Sequence, residues 1–534
     1  MKMSKILCVL IALLIAAGAL SVSVSADANA TVDMSSTHQT IDGWGASYTW
    51  YADWLLNHNN ADLAYDWIFN DTEFNIIRLR DLNLCGDEHQ NAVDGYPAYK
   101  KLYDAAVARG IEPTVLVTSW GQYDRDLPWV AFTELSAKGF SYYTLAKDEN
   151  GEYMYDALAQ HCVESIKYFF DAGIPVHYFS ISNEIELQER HVDENGKARQ
   201  EAGFFLGMEE TDDYCCYWKA HIAVYEAFKE AFGEFAPILL GAETMGGYGD
   251  LLQGYLEPVI ENCPESLEIM GHHLYGTDLS PNNFSKIRAA YPDYPIWQTE
   301  WYTDDYFGLA NIIIDELNYE DLNAYLFWNG AWAPDRGITL VEIADAGENA
   351  DLTRGGNHYI MMHFSKYIKE GYIRVDINED LNSNMTAFKS PDGKKLVVVA
   401  VNLSDSNEYL ALDVGEEILG SVTYQSLKAD NRFRNKYWLE AGKYSEDYEL
   451  PAGSLTTIVL DLAGDPNYVA PVEADEPVNP FINTRAGKPD TSIATIIIIA
   501  AVVSVAVVAV IIIIAVFSMK KKAKTDSKTE PKTE

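Results

Sequence analysis

At 534 residues the chain is long enough for more than one domain, and its 48% hydrophobic content suits a globular protein with a large core. A formal net charge of -41 excludes a nucleic-acid backbone as partner, because such binding needs stripes of Lys and Arg to displace counterions. The same acidity fits a self-repelling extracellular surface, and the 12 Trp and 34 Tyr supply aromatic faces without deciding what they stack on.

Lys2 and Lys5 precede an apolar run from Ile6 to Leu20 and the small residues Ser25-Ala26, which predicts a signal peptide over 1–26. The segment 31–40 is expected to add a strand, from the N-terminal side, to a β-domain formed later in the chain. From 41 to 370 short apolar runs alternate with amphipathic stretches, the pattern of a βα repeat. Eight strands are predicted at Ile41–Gly45, Ile76–Leu79, Pro113–Thr118, Val176–Ser182, Ile238–Glu243, Ile269–His273, Ile296–Thr299 and Ala324–Trp328, which together make a (β/α)8 TIM barrel. Between the third and fourth, Leu158, Cys162, Ile166, Phe169 and Phe170 recur at helical spacing, with Gly173 to cap the helix and Pro175 to stop it.

From 371 to 463 the texture becomes β-rich, with turn signals at Pro391-Asp392-Gly393 and Pro451-Ala452-Gly453, and predicts an associated side β-sandwich. The stretch 464–492, rich in Pro, Asp, Glu and Asn, reads as an extended linker. Residues 493–517 carry no charge and exceed the about 20 needed to cross a bilayer, so a C-terminal transmembrane helix is expected. The Lys-rich tail 518–534 then stays cytoplasmic and the globular part faces out, a single-pass cell-surface protein. No LPxTG sorting motif precedes the apolar segment, and Asn479-Pro480-Phe481-Ile482-Asn483 is only a loose echo of another. Cys85, Cys162, Cys215, Cys216 and Cys263 form an odd set without a C-x-x-C pair, which implies neither a disulfide framework nor a zinc site.

In a TIM barrel the chemistry sits at the C-terminal ends of the strands, so polar residues that close apolar runs carry most weight. Glu184 follows the fourth strand in Ser182-Asn183-Glu184, and Glu300 closes the seventh in Trp297-Gln298-Thr299-Glu300. These strands lie on opposite sides of the barrel mouth, where two carboxyl groups can face each other across a sugar. Glycoside cleavage needs such a pair: one protonates the leaving oxygen and the other attacks the anomeric carbon, with a separation of about 5–5.5 Å selecting retention. Their protonation states must then differ, with Glu184 expected as the protonated acid and Glu300 as the ionised nucleophile. Arg78 is placed either to hold Glu300 ionised or to form a structural ion pair within the barrel. Tyr275 can donate to the same carboxylate, and Asn183 can bind a sugar 2-OH. Trp120, Trp328 and Trp332 either stack on sugars or pack in the core. His272 and His273, adjacent on one strand, point to opposite faces and cannot share an ion. No metal-ligand spacing stands elsewhere, so no metal or cofactor is expected.

The ordered set Asp42-Gly43-Trp44-Gly45-Ala46-Ser47, Asn75-Ile76-Ile77-Arg78, Ser119-Trp120, Ser182-Asn183-Glu184, Gly271-His272-His273-Leu274-Tyr275-Gly276, Trp297-Gln298-Thr299-Glu300 and Phe364-Ser365-Lys366-Tyr367-Ile368 resembles glycoside hydrolase family 30, from about Thr31 to Leu462. The resemblance implies a barrel fused to a side β-structure built from both chain ends, Glu184 as acid/base, Glu300 as nucleophile, and Asn183, Tyr275 and Trp120 around the glycone. The family commonly has Asn-Glu-Pro where this chain has Asn183-Glu184-Ile185, and the loop from Glu186 to Tyr214 is idiosyncratic. The substrate is therefore more open than the reaction. Members act on xylan, glucuronoxylan or β-1,6-glucan, or as exo-β-glycosidases, and the segment Phe364 to Val375 is most similar to the xylan-directed ones. The expected partner is a β-linked polysaccharide, most of all xylan. The rival class is a non-catalytic surface carbohydrate-binding protein. Members that require glucuronic acid use an arginine after strand eight, where this chain carries Arg336 and Arg354, both read as surface charge.

Overall fold

The computed structural model describes residues 28–82, 92–119, 127–133, 142–185, 190–192, 198–200, 205–334, 339–428, 436–471 and 477–483. The expected signal peptide, transmembrane segment and basic tail, together with Trp120 and Arg336, lie outside them. Among the described residues no helix is long and apolar enough to cross a membrane.

Eight parallel strands close into a barrel: Gly43–Ser47, Ile76–Arg80, Thr114–Thr118, Tyr178–Ser180, Ile238–Thr244, Ile269–His273, Ile296–Trp301 and Ala324–Phe327, called barrel strands one to eight. Each pairs with its sequence neighbours, and strand eight closes on strand one through the register Ala324↔Gly43 to Phe327↔Ala46. All eight predicted strands are present, with ends displaced by a residue or two, and the predicted helix runs Tyr155–Asp171. Alternation of side chains along each strand explains the filling. Ile76, Leu116, Leu240, Ile269, Trp297, Ala324 and Leu326 form one buried cluster, where Tyr178 meets the Trp297 ring edge-on at 4.9 Å. Most of the remaining apolar residues of the barrel pack with the helices in a second, larger cluster. In the first strand Gly45 passes so close to strand two that a β-carbon there would stand 2.2 Å from the Ile76 carbonyl oxygen. That contact gives the Gly-Trp-Gly sequence a steric reason, since strands one and two could not otherwise approach.

The side domain is one eight-stranded sheet that includes the N-terminal strand Ala30–Thr40, paired antiparallel with Ile373–Glu379. The expected two-layered sandwich is thinner than predicted, because the second layer is the two-stranded sheet of Glu408–Leu410 and Tyr448–Leu450. Leu410, Tyr448 and Leu450 share a buried core with Val398, Ile458 and Leu460 of the large sheet. The other side of the sheet joins the barrel, where buried His363 bonds Thr457 Oγ1 at 2.8 Å and Ser426 Oγ at 2.9 Å. The expected linker does not run free throughout. Phe481 lies within 5.4 Å of the Phe232 ring and 6.4 Å of Phe170, as expected for an apolar ring in a polar segment. Replacing Gly45 by Ala should lower stability by about 1–3 kcal/mol through overpacking, read as a fall in the urea midpoint without a change in slope.

Candidate active site

Arg78 on strand two is fully buried, which is unfavourable for a guanidinium unless its donors and charge are matched. The neighbouring strand ends match them. Nη1 donates to Glu300 Oε2 at 2.7 Å and to Ser47 Oγ at 3.1 Å. Nη2 donates to Asn183 Oδ1 at 2.7 Å and pairs with Glu243 Oε1 at 3.1 Å. Nε reaches Thr118 Oγ1 at 3.1 Å. Burial works against the charge, but Glu243 and Glu300 outweigh it and keep Arg78 a cation.

Glu184 and Glu300 face each other at the mouth of the barrel. Each offers a carboxylate oxygen, and these two atoms and a ring nitrogen of His273 all lie within 4.8 Å of one another. Glu184, just past strand four, has φ of 50°, the left-handed region, and its N–H is tied to Glu243 O at 2.8 Å. Its Oε1 lies 3.1 Å from His273 Nδ1. Glu300 Oε1 accepts from Tyr275 Oη at 3.2 Å, and its backbone N–H donates to Gln298 Oε1 at 2.6 Å. The nearby carboxylates favour the proton-bearing forms of both Tyr275 and His273. Tyr275 is held a phenol, pushed well up by burial and then by Glu300 and Glu184. For His273 burial opposes the charge, but Glu300, Glu184 and Glu243 raise the imidazole to about 9.

The charges nearly cancel: two cations, Arg78 and His273, face three carboxyl groups, Glu184, Glu243 and Glu300. Ionising all three would leave one negative charge in excess, so one retained proton makes the group neutral. Burying Glu243 disfavours its anion, yet Arg78 and His273 outweigh that and carry it from the ordinary 4.5 down to about 2. Burial pushes Glu300 upward, His273 and Arg78 oppose this, and Glu184 adds to the rise. The expected ionised Glu300 thus meets an opposing force in desolvation. Its two donors, Arg78 and Tyr275, against the single His273 on Glu184, favour the anion on the Glu300 side.

Five of the residues predicted from sequence, Glu184, Glu300, Arg78, Asn183 and Tyr275, come together in this network. Asn183 Nδ2 is buried and without a hydrogen-bond partner, which leaves a donor for a ligand. Trp328 stands apart in an aromatic cluster, 5.2 Å from Trp332, which lies 4.8 Å from Tyr51. Arg354 is not free surface charge, because it pairs with Asp71 at 2.7 Å and covers the rings of Trp67 and Tyr359. Sequence reasoning missed Glu243 and gave His273 no part in the site. Glu243 closes strand five as Glu300 closes strand seven, so the same strand-end rule applied evenly would have found it. The Glu184, His273 and Glu300 trio offers a metal-like donor set, but Arg78 already supplies positive charge to Glu300 and the raised His273 is a proton donor, not a ligand.

No family model matches the chain. A glucuronoxylanase, XynC of Bacillus subtilis strain 168, is 22% identical over 487 residues, spanning 86% of this chain and 99% of that protein. Among solved structures, a family 30 endoxylanase from Clostridium papyrosolvens C71 has a TM-score of 0.58 at 21% identity, covering 81% of this chain and 100% of its own. The catalytic domain of xylanase C of family 30 from Talaromyces cellulolyticus has a TM-score of 0.60 at 19% identity, covering 81% and 99%. The chain is thus similar to glycoside hydrolase family 30 over both barrel and side sheet, and the solved structures share its fold.

Because the folded-state value of Glu243 is depressed, its ionised form stabilises the fold above the ordinary carboxylate range and that stabilisation is lost as pH falls toward about 2. Glu243→Gln should lower the melting temperature at pH 7, and the gap to the parent should narrow steadily below about pH 4.5; a gap constant with pH would contradict the charge assignment.

Proposed function

We propose that this chain hydrolyses a β-linked plant-type polysaccharide, most of all xylan, with retention of configuration. Glu300 attacks the anomeric carbon while Glu184 gives its proton to the leaving oxygen. Water then takes the sugar from Glu300 and returns a proton to Glu184. The observation that carries this reading is the approach of the Glu184 and Glu300 oxygens to within 4.8 Å, which matches the short separation of retaining enzymes and leaves no room for the water that inverting ones place between carboxyls.

The surroundings fit each step. Arg78 and Tyr275 stabilise the Glu300 carboxylate as leaving group of the second step, and His273 holds Glu184 toward the leaving oxygen. The unpaired Asn183 Nδ2 is placed to take a sugar hydroxyl, a contact that strengthens in an oxocarbenium-like transition state. Xylan rests on the similarity to the Bacillus glucuronoxylanase across nearly its whole length. Arg354, engaged with Asp71, gives no reason to require a glucuronic acid side chain. From the sequence alone we infer that the reaction takes place outside the cell, with the chain exported through 1–26 and tethered through 493–517.

Proton NMR during hydrolysis of a xylo-oligosaccharide should show the β-anomer appearing first. An α-anomer would overturn retention, and cleavage of β-1,6-glucan with no action on xylan would overturn the substrate. Glu300→Ala should reduce turnover to background while oligosaccharide binding, measured by calorimetry, stays within a few-fold. Glu184→Ala should lose about 100- to 10,000-fold on xylan and far less on aryl xylosides with good leaving groups. Equal losses on both substrates would mean that Glu184 is not the acid.

A further inference from the structure

His273 faces the active site, whereas His272 turns the other way, toward the helix that joins strands seven and eight. That helix, Tyr306–Asp315, continues into a π-helical turn, Glu316–Glu320, which brings both terminal carboxylates of the turn to one place. His272, Glu316 and Glu320 are each wholly buried, and one donor atom from each lies within 4.8 Å of the other two. His272 Nδ1 is 3.1 Å from the His273 carbonyl oxygen, which can only accept, so the ring hydrogen sits there. Nε2 lies 2.7 Å from Glu320 Oε1.

Protons alone satisfy this cluster poorly. A hydrogen bond joins Glu320 Oε1 to His272 Nε2, but among the described residues Glu320 Oε2 and both oxygens of Glu316 are buried with no hydrogen-bond partner. Leaving such groups unmatched is unfavourable, because nothing replaces the hydrogen bonds they make to water. An imidazole and two carboxylates gathered within reach of one point match the donor set of a divalent ion. A histidine that donates its other N–H to a backbone carbonyl is the usual arrangement around a bound ion. One nitrogen and carboxylate oxygens suit a first-row transition ion, whereas calcium and magnesium favour all-oxygen sets.

We propose that His272, Glu316 and Glu320 form a structural zinc-type site on the outer face of strand six. The sequence argument against one ion shared by His272 and His273 stands, because only His272 takes part. Ligands about 2.0–2.1 Å from a tetrahedral ion lie about 3.4 Å apart, so the ion would replace the His272–Glu320 hydrogen bond with a modest outward shift. It would bind strand six to the segment leading into strand eight, directly behind His273.

The test uses the full-length protein, stripped with a chelator and titrated with zinc. We expect about one zinc per chain to survive gel filtration and to raise the melting temperature by several degrees. Glu316→Gln, which keeps size and removes charge, should weaken zinc binding at least 100-fold and abolish that shift. Anomalous X-ray scattering at the zinc edge should place the ion between the three side chains. Two results overturn the site: a parent protein whose melting temperature ignores zinc, or a Glu316→Gln variant that retains zinc as the parent does. In the first case Glu316→Gln should raise stability without zinc, marking a proton-holding cluster.

Discussion

A guanidinium with no exposure to water sits where side chains from four other strands and from the loop after strand four converge, and the polar groups around it match its donors and charge. Arg78 makes close contacts with residues at strands one, three, five and seven and with Asn183 beyond strand four. Such a charge is tolerable in the barrel only because two carboxylates and three neutral acceptors surround it. Removing any one acceptor leaves the cation under-matched, and removing the cation leaves Glu243 and Glu300 buried without compensation. The stability of the barrel mouth and the ionisation of its carboxylates are therefore the same problem.

This shared dependence explains the unequal behaviour of the three glutamates. Glu243 is buried deepest in the positive field and is firmly ionised. Glu300 is instead pushed upward by its burial, with His273 and Arg78 opposing and the facing Glu184 adding to the rise. The interior below is filled by Leu, Ile, Ala and Trp297 side chains.

The barrel was legible because hydrophobic periodicity and length specify strands buried on both faces. The side domain was less so. Lys436–Gly442 and Tyr448–Leu450 carry a mixed pattern and take their partners from elsewhere in the chain, so periodicity does not single them out. The thinness of the second layer has the same ground: strand signals count strands, but how they divide between sheets depends on which edges meet. Phe481 was a single apolar residue in a polar stretch, and only the Phe232 surface beside it explains its presence.

Glu184, Glu300, Arg78, Asn183 and Tyr275 could be named from sequence because each stands at or just beyond an apolar strand run, and strand ends of a closed barrel converge whatever the intervening loops do. Tertiary structure decided what each one touches. It showed Glu243 holding Arg78, His273 donating to Glu184, and Arg354 occupied by Asp71. It also set Trp328 beside Trp332 and gathered His272 with Glu316 and Glu320. Position along a strand is a local property fixed by side-chain alternation, whereas ion pairing depends on distances across the barrel, which arise only when the sheet closes on itself.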